Sequence, residues 1–596
     1  ARLVSKELDL TLTTRDRNKP PEERTPMCGV PYHSCDSYIA RLIAKGYKVA
    51  ICEQTEDPAK AKGLVKRDII RVVTPGTVDS SMVEASRPNY LCAICLSGEE
   101  AGLCFCDVTT GKTHVTAFDG GDLMDRIESE LGRFAPSEAI LNDEAYGRGA
   151  LVKLLREKFS CRADNYGERR FRPDEGRRLA EKQFGKDAAA AIPDRRSAAV
   201  MALGGLLHYL YETQKTDLGY IQSLEYYEEG RFLELDLTAR RNLELTETLR
   251  SKEKKGSLLW VLDKTKTAMG GRCLRSWLSR PLLDLTAIER RLSAVEALVK
   301  SPMDREELIL ALTGISDMER LIGRMVYGSA GGRDAASLRS ALEKLPTVKE
   351  RLAPFSGGRL GELARELDTL EDVCELLQKA IVDDPPFSVR EGGFIKAGYN
   401  SDVDYLRDIM TNGKSMVASI EQSEREKTGI KNLKVGYNKV FGYYIEVSKS
   451  YYDLVPADYI RKQTLANCER YITQELKDLE HTILTASDQV VALEFELFTQ
   501  LRQQVGEEMS RIQASAAAIA ELDVLCSLAA VAAKNNYCRP TVDESGVIEI
   551  HDGRHPVVER MLKDSLFVPN DTYMGEKENR VAIITGPNMA GKSTYM

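Results

Sequence analysis

The clearest periodic pattern of apolar residues lies near the end of the chain. Seven apolar positions are spaced alternately by three and four residues: Leu476, Leu479, Ile483, Ala486, Val490, Leu493 and Leu497. This heptad spacing predicts a helix with one apolar seam. No proline lies between Pro456 and Pro540, and Gly506 is the main interruption. We therefore expect one helix of ~50–60 residues, about 80–90 Å long, acting as a lever or strut. The alternative is a plain helical bundle.

Two earlier stretches have the alternation that is typical of β-strands. Residues 90–118 contain three such runs, separated by Ser97-Gly98 and Thr110-Gly111, and they predict a β meander. A helical pattern follows through about residue 220, so this part predicts a compact α/β domain. Upstream, residues 38–45 are amphipathic and residues 48–52 have the pattern of a strand. Residues 75–89, with two prolines and a glycine, are predicted to be a linker.

A different pattern interrupts the mostly helical part of the chain that begins near residue 225. Residues 430–448 are rich in valine and tyrosine, and they predict a β-hairpin. Between Lys431 and Tyr471 the chain has seven basic and four acidic residues. We therefore predict a basic β module that contacts the phosphates of a polyanion without reading its sequence. The candidate contact residues are Asn438, Lys439, Arg461, Lys462 and Thr464, with Tyr437 and Arg470 beside them. The alternative is a charged surface that contacts only solvent.

Composition and charge restrict the class of protein. The 596 residues predict about four domains, and 43% hydrophobic with 29% charged residues is ordinary for a globular protein with a core. The net charge of −8 excludes general nucleic-acid binding by the surface as a whole. Any polyanion partner must therefore bind to local basic patches. A mean hydropathy of −0.32 and the lack of an 18-residue apolar run predict no membrane span. Thirteen scattered cysteines favour reduced thiols in a cytoplasm.

The last residues match the pattern of a phosphate-binding loop. Gly586-Pro-Asn-Met-Ala-Gly-Lys592-Ser593 fits G-x-x-x-x-G-K-[ST]. The apolar run 581–584 before it predicts a buried strand, and residues 593–596 predict the start of a helix. Backbone N–H groups would surround phosphate oxygens, Lys592 would contact the outer phosphates, and Ser593 would ligate Mg²⁺. The predicted nucleotide-binding residues are Gly586, Pro587, Asn588, Met589, Ala590, Gly591, Lys592, Ser593 and Thr594.

Cysteine and histidine spacing points to no further chemistry. Cys92-x-x-Cys95 and Cys104-x-Cys106 lie in predicted strands. Residues three apart on a strand face opposite sides, so Cys92 and Cys95 cannot readily share one zinc ion. We predict buried free thiols, with a zinc site as the alternative. The six histidines form neither H-E-x-x-H nor a legible Ser/His/Asp order, which argues against hydrolases of those types.

With the phosphate loop and the basic module identified, the sequence resembles the bacterial MutS family over essentially its whole length. The motifs are Gly29–His33, Tyr47–Gln54, Val65–Arg67 and Thr74–Thr77 in the first part, and Leu235–Thr238, Arg241–Leu245, Gly256–Trp260 and Arg280–Leu282 in the centre. They continue with Gly436–Ile445, Arg461–Leu465, Glu469–Ile472, Gly553–Val557, Phe567–Asp571 and Thr585–Thr594. These runs are long and specific, and the first part and the basic module distinguish this family from relatives that lack them.

The resemblance implies a multidomain α/β and α fold. Its parts would be an α/β mismatch-recognition domain at 1–84, an α/β connector domain at 85–222, a helical core and lever at 223–395 and 476–535, an inserted β clamp at 396–475, and the start of a P-loop ATPase domain at 536–596. We refer to residues 1–84 as the front domain.

The resemblance also implies a function. It predicts a dimeric clamp that binds double-stranded DNA with mismatches or small loops and does not bind a membrane. The predicted location is the cytoplasm, at the nucleoid. Weak ATP hydrolysis with Mg²⁺ would convert the clamp to a sliding state that recruits a MutL-type partner. Phe567 would stack on the adenine, although a phenylalanine can equally pack in a core. The alternatives are a non-catalytic DNA-binding scaffold and an elongated chromosome-structure ATPase.

One part of the family pattern is expected to lie outside the chain. The family has an aromatic wedge in a Phe-x-Glu motif, and no such motif occurs before Arg15. The acidic residues that hold Mg²⁺ and activate water would follow Met596, so no catalytic residue is predicted within the chain. We therefore expect a piece of a longer protein that is inactive as an ATPase by itself.

Overall fold

The computed structural model describes residues 1–14, 18–31, 34–56, 65–215, 218–228, 230, 232–388, 391–438, 442–465, 467–562, 566–586 and 591–595. The chain forms two compact units. The first contains Ala1–Tyr327, Ser340–Leu370 and Met509–Met596, and the second contains Gly328–Arg339 and Glu371–Glu508. The predicted multidomain α/β and α fold is confirmed.

Helices make up most of the chain beyond the connector domain. The helices are α1 (Arg2–Leu8), α2 (Cys35–Ala44), α3 (Leu123–Phe134), α4 (Asp143–Gly147), α5 (Gly149–Lys153), α6 (Pro173–Phe184), α7 (Lys186–Ala190), α8 (Ser197–Gln214), α9 (Leu237–Asn242), α10 (Leu258–Leu262), α11 (Ala268–Ser279), α12 (Leu285–Lys300), α13 (Pro302–Leu312), α14 (Met318–Tyr327), α15 (Gly332–Leu342), α16 (Leu345–Leu352), α17 (Gly358–Glu366), α18 (Glu371–Ala380), α19 (Ser401–Thr428), α20 (Gln474–Glu507), α21 (Met509–Asn535), α22 (Pro556–Met561) and α23 (Lys592–Tyr595).

The strands fall into five sheets. They are β1 (Thr13–Thr14), β2 (Pro26–Met27), β3 (Val49–Gln54), β4 (Arg67–Val73), β5 (Tyr90–Ser97), β6 (Glu100–Asp107), β7 (Lys112–Asp119), β8 (Glu138–Leu141), β9 (Arg162–Asn165), β10 (Ser223–Tyr226), β11 (Lys434–Asn438), β12 (Gly442–Ser448), β13 (Ile460–Thr464), β14 (Cys468–Ile472), β15 (Val547–Gly553) and β16 (Asn570–Gly575). β1–β2, β3–β4 and β15–β16 are antiparallel pairs.

The front domain packs α2 against the β3–β4 pair. Ile39 and Ile43 of α2 are buried together with Val73 at the end of β4 and with Val78 beyond it. The helix predicted at 38–45 and the strand predicted at 48–52 are both present, as α2 and β3.

The connector domain is built on a six-stranded sheet in the order β10-β7-β6-β5-β8-β9. The predicted meander is confirmed as β5–β7, which pair antiparallel. The prediction of a helical pattern through about residue 220 was wrong in part, because β8 and β9 lie within that stretch and join the sheet in parallel. β10 follows the stretch and joins the opposite edge of the sheet, also in parallel. All three strands have four residues, the shortest length at which alternation indicates a strand.

The two faces of the connector sheet are covered by different helices. On one face Cys92 and Phe105 join an apolar cluster with Leu131 of α3. The opposite face carries α8, whose Ala198 carbonyl oxygen lies where a Cβ atom on Gly102 would be placed. Cys95 pairs with Gly102 and therefore faces α8. Burial raises the pKa of Cys92 and Cys95, so these thiols stay protonated inside the sheet.

The helical core of the first unit is arranged around α21. α10, α11, α12, α13, α14 and α17 all pack on this helix. α21 is long and apolar enough to cross a membrane, but about two thirds of its most apolar window is buried inside the protein. Its composition therefore matches that of a central core helix.

One carboxylate is buried on α21. Asp523 accepts hydrogen bonds from the backbone N–H groups of Lys266 and Thr267, at 2.9 and 2.8 Å, and from the Thr267 hydroxyl. Burial outweighs these bonds and raises the pKa of Asp523 to about 6. The contact fixes the start of α11, where Thr267 is the N-cap residue.

The single long helix predicted for residues 476–535 is not present. The chain forms α20 and α21, separated at Glu508, which has φ −91° and ψ 11°. Gly506 lies in the last turn before this break, and glycine is a weak helix former. α20 has 34 residues, so its length is about 51 Å at ~1.5 Å per residue.

The apolar seam of α20 also differs from the prediction in its second half. Leu476, Ala486 and Val490 are buried as expected, but the next buried positions are Glu494 and Phe498 instead of Leu493 and Leu497. An α-helix has about 3.6 residues per turn, so a straight helix drifts away from a strict heptad. The shift brings a glutamate into the core of the second unit.

The last part of the chain does not contain the strand predicted before the phosphate loop. Val581 and Ile583 are 82% and 88% exposed, and residues 581–586 have no regular secondary structure. Among the described residues, β15 and β16 pair only with each other. A buried parallel strand requires neighbouring strands on its sheet, and the described part of the chain supplies none to this run.

Candidate nucleic-acid interface and nucleotide loop

The predicted basic module is a four-stranded antiparallel sheet in the order β11-β12-β14-β13. We call it the clamp sheet. The predicted hairpin is confirmed as β11 and β12, which pair from Lys434 opposite Glu446 to Asn438 opposite Gly442. One side of the sheet is apolar and buries Ile445, Val447 and Tyr471 with Ile420 of α19. The sheet is therefore a folded module with its own core.

Polar contacts attach the clamp sheet to the end of α19. The Glu421 carboxylate accepts a hydrogen bond from the Val435 backbone N–H at 2.8 Å. Arg425 donates to the Leu433 carbonyl at 2.7 Å and also to Glu421. Glu424 is buried and accepts the Tyr459 hydroxyl. These bonds hold both the first strand and the residue before β13, so α19 carries the sheet as a rigid extension.

Two of the predicted contact residues share one carboxylate. Arg461 and Thr464 both donate to Oε1 of Glu469, at 3.2 and 3.3 Å, and Tyr471 donates to the other oxygen. The bond from Tyr471 and the charge of Arg461 lower the pKa of Glu469. Glu469 is buried, whereas the Arg461 side chain is 65% exposed. Arg461 is thus oriented by Glu469 and still accessible from solvent.

Lys462 occupies an irregular position on the outermost strand. The register passes from Arg461 opposite Tyr471 directly to Gln463 opposite Arg470, so Lys462 is the extra residue of a β-bulge. Its side chain is exposed. Asn438 is the last residue of β11, and Lys439 lies outside the described residues. Bulges commonly redirect a side chain at the edge of a sheet, and here the side chain is a cation.

Arg470 does not share the exposure of Lys462. Its guanidinium donates to Glu446 at 3.2 Å and to Gln463 at 3.1 Å, and it lies 4.1 Å from the centre of the Tyr444 ring. The Tyr444 ring also approaches Gly436 so closely that a Cβ atom there would be 2.8 Å from it. Arg470 therefore stabilises this side of the sheet and is a weaker candidate for a phosphate contact.

The sequence did not predict the buried glutamate that links α19, α20 and the segment before α19. Glu494 of α20 is fully buried and accepts hydrogen bonds from the backbone N–H groups of Gly393 and Phe394, at 2.7 and 3.2 Å. Arg407 of α19 completes the set at 2.6 Å and also donates to the Ile395 carbonyl. The one available signal was a glutamate next to an apolar seam, which a heptad count assigns to solvent.

Two arginines of the front domain contact carbonyl groups and tyrosine rings of the protein itself. Arg71 donates to the Thr77 carbonyl at 3.0 Å and lies over the Tyr327 ring. Arg41 approaches the Leu8 carbonyl and the Tyr38 ring. The exposed cations of the front domain include Lys66 and Arg67. Residues 57–64 lie outside the described part of the chain.

The nucleotide loop is described only at its two ends. Lys592 begins α23, and its ammonium group donates to the Gly586 carbonyl at 2.6 Å. Gly591 has φ +81°, a conformation that glycine adopts without strain. Pro587, Asn588, Met589 and Ala590 and the side chains of Ser593 and Thr594 lie outside the description. Phe567 is half-buried. Of the predicted loop, the described residues thus show the Lys592 ammonium group beside the Gly586 carbonyl and Gly591 in a conformation that favours glycine.

The fold and these two sites define a class of protein: a multidomain, helix-rich protein with an inserted basic clamp and a phosphate loop. Three family models match the chain, described as MutS domain I at residues 1–82, MutS domain II at 89–222 and MutS domain III at 238–529. The chain belongs to the MutS family.

Individual relatives agree with this assignment. Over the whole of this chain, DNA mismatch repair protein MutS of Ruminiclostridium cellulolyticum and that of Acetivibrio thermocellus are each 49% identical to it. The same protein of Lachnoclostridium phytofermentans is 46% identical. This chain spans 68% of the length of the first two relatives and 64% of the third.

Proposed function

We propose that this chain recognises mispaired double-stranded DNA and starts its repair. The observation that carries the proposal is the clamp sheet, which presents Arg461 and Lys462 to solvent on a rigid support, in a protein whose relatives are named DNA mismatch repair proteins. Phosphate contacts by such cations position a protein on DNA but carry no sequence information. Within the clamp sheet, Asn438, Lys439 and Thr464 complete the proposed contact set.

Recognition then depends on the mechanical properties of the DNA. A mismatched step is weakly stacked, so it kinks at a lower cost than a paired step. A protein that holds the flanking phosphates and forces a bend therefore binds more tightly where the bend is easy. This explains how a clamp without base-specific contacts takes part in mismatch recognition.

The nucleotide loop supplies the second half of the proposal. ATP with Mg²⁺ would bind at residues 586–594, where Lys592 contacts the phosphates, Ser593 ligates the metal and Phe567 stacks on the adenine. Bound nucleotide provides the free energy that switches the clamp to a sliding state. In the full-length protein we further propose a homodimer, slow ATP hydrolysis, a location at the nucleoid and recruitment of a MutL-type partner.

The proposal is tested by a binding experiment with the full-length protein. We expect tighter binding to a G·T duplex than to a G·C duplex at equal salt. Replacing Lys439 and Lys462 together by alanine should weaken binding to both duplexes alike. The slope of log K against log salt should fall by about 0.9 for each lost phosphate contact, because fewer counterions are released.

A matched control separates clamp contacts from a general change in charge. Lys153 of the connector domain is exposed, with a side chain 71% accessible and a distant partner in Glu157. Lys153→Ala should leave the salt slope unchanged. Equal affinity for the two duplexes in the parent protein would contradict mismatch recognition, and an unchanged slope in the double variant would contradict the clamp assignment.

A further inference from the structure

The linker predicted between the front domain and the connector domain is built into the fold. Thr74, Thr77 and Val78 are buried. The Pro75 carbonyl accepts hydrogen bonds from Asn89 at 3.0 Å and from Ser137 at 2.9 Å. Residues 79–89 are exposed or half-buried, so this part of the segment is held through its backbone carbonyls and not by burial of its side chains.

Two buried arginines of the helical core hold the second half of this segment. Arg320 of α14 donates to the Glu84 carbonyl at 3.2 Å and to the Arg87 carbonyl at 2.8 Å. Arg272 of α11 donates to the Ala85 carbonyl at 2.7 Å. We call Arg272, Arg320 and residues 84–87 the joint. Three backbone carbonyls in four residues thus accept hydrogen bonds from cations of another domain.

The arginines of the joint are themselves fixed. Arg272 makes a two-pronged contact with Asp317, at 2.5 and 2.8 Å, and a third contact with Glu319. Burial alone would raise the pKa of Glu319, but Lys112 and Arg272 outweigh it and lower the pKa to about 2. Lys112 belongs to β7 of the connector domain and lies 2.6 Å from Glu319. Glu319 is therefore ionised at physiological pH and holds Arg272 and Lys112 as its partners.

The connector domain is attached at the same place. Arg320 donates from Nε to the Thr109 hydroxyl at 3.2 Å. A Cβ atom on Gly323 would lie 3.3 Å from the Thr109 carbonyl, and one on Gly271 would lie 3.2 Å from Ser86. The absence of side chains at both glycines lets the linker and the β6–β7 turn lie directly on the core helices.

A second attachment lies at the other end of the segment. Glu138 of β8 is fully buried and accepts the Gly76 backbone N–H at 3.0 Å, the Thr74 hydroxyl, and the Tyr209 hydroxyl at 2.7 Å. Lys48 of the front domain lies 3.1 Å from the same carboxylate. The front domain is thus held on the connector by Glu138 and on the core by the joint.

We propose that Arg272 and Arg320 are positioning residues for mismatch recognition, because they fix the end of the front domain and the residues directly after it on the helical core, through backbone carbonyls 84, 85 and 87. The inference rests on the proposed function. DNA is stiff, so a domain that bends it must be attached to the rest of the protein more rigidly than the DNA resists bending. If the attachment is weak, the domain moves and the duplex stays straight. The lower bending energy of a mismatched step then no longer contributes to the binding affinity.

The test uses Arg320→Lys in the full-length protein. Lysine keeps the positive charge, but a single ammonium group cannot reproduce the planar fork that serves Glu84, Arg87 and Thr109 together. Hydrogen exchange of the backbone amides in residues 84–87 should become faster. The ratio of G·C to G·T dissociation constants should fall about tenfold, while the G·C dissociation constant stays within about twofold of the parent.

Control variants keep the outcome interpretable. Arg351→Lys makes the same change at a half-exposed ion pair with Glu307 and should alter neither quantity. Thr109→Val removes one acceptor of Arg320 and should give a smaller fall in the ratio, which supplies a readout if Arg320→Lys does not fold.

Any of four results would overturn the proposal. Faster exchange in residues 84–87 with an unchanged duplex ratio shows that the joint has no part in discrimination, and an unchanged ratio in both Thr109→Val and Arg272→Lys shows the same. If the parent protein itself does not distinguish the duplexes, the proposed function is wrong and this inference falls with it. A fall in both affinities together assigns the arginines a purely structural role.

Discussion

Removal of the Glu494 carboxylate is expected to destabilise the base of the α19–α20 pair. In Glu494→Ala the backbone N–H groups of Gly393 and Phe394 and the guanidinium of Arg407 lose their common acceptor. The carboxylate is fully buried, so water does not already share its contacts. The second unit should open more readily at this point.

The size of the effect depends on the Arg407 charge, which is left without its partner in Glu494→Ala. Removing one partner of a buried ion pair costs about 3–5 kcal/mol, because the other charge is left without compensation. The Arg407 side chain is 28% exposed and can recruit water, which places the loss near ~3 kcal/mol. Glu494→Gln retains an acceptor for the N–H groups and should lose less, about 2 kcal/mol.

Native-state hydrogen exchange measures this loss locally. Where exchange reports the opening equilibrium, ~3 kcal/mol corresponds to amides in α20 and around Gly393 exchanging roughly two orders of magnitude faster. Glu496, two residues along the same helix, is exposed, so Glu496→Ala serves as the control, with an effect within about 0.5 kcal/mol. Adding Arg407→Ala to Glu494→Ala should cost little more, because the pair acts as a unit. Equal exchange in Glu494→Ala and Glu496→Ala would refute the reasoning.

Two further predictions concern the first unit. Lys592→Ala in the full-length protein should abolish most nucleotide binding in calorimetry and leave G·C duplex affinity nearly unchanged, since a phosphate-loop lysine contacts phosphates; equal ATP affinity in variant and parent would contradict it. Asp523 has a pKa of about 6 in the fold against ~3.9 when unfolded, so its ionisation opposes folding. Between pH 4 and 7 the parent should therefore lose about 2 kcal/mol relative to Asp523→Asn, and a pH-independent difference in unfolding free energy would refute this assignment.

The sequence predicted elements best where the pattern was long and local. The strands β5–β7 and the hairpin β11–β12 were identified because each has several alternating residues and a clear turn. β8 escaped notice because its four residues, Glu138–Leu141, are all buried and show no alternation. The most important of them is a glutamate, whose burial depends on donors from Thr74, Gly76 and Tyr209, far away in sequence.

The site was predicted less completely than the fold. Arg461 and Lys462 were proposed from composition alone, and their contact with phosphates stays a prediction. The β-bulge at Lys462 could not be predicted, because it depends on the pairing with the partner strand β14. Glu494 was assigned to no role because burial of a charge is decided by distant partners, here Gly393 and Arg407. The division of the long helix at Glu508 was equally invisible, since Gly506 by itself costs a helix only ~1 kcal/mol.

The bulge at Lys462 has a consequence for the solubility of the protein. β13 is an edge strand of the clamp sheet, and an edge strand offers unpaired backbone groups to any other extended chain. A bulge interrupts the regular spacing of those groups, and an exposed lysine adds charge repulsion and side-chain hydration. Lys462 thus protects this edge against strand-to-strand aggregation, apart from the phosphate contact proposed for it. An apolar β-branched residue at position 462 would remove the proposed contact and, in the same step, leave this edge free to pair with another molecule.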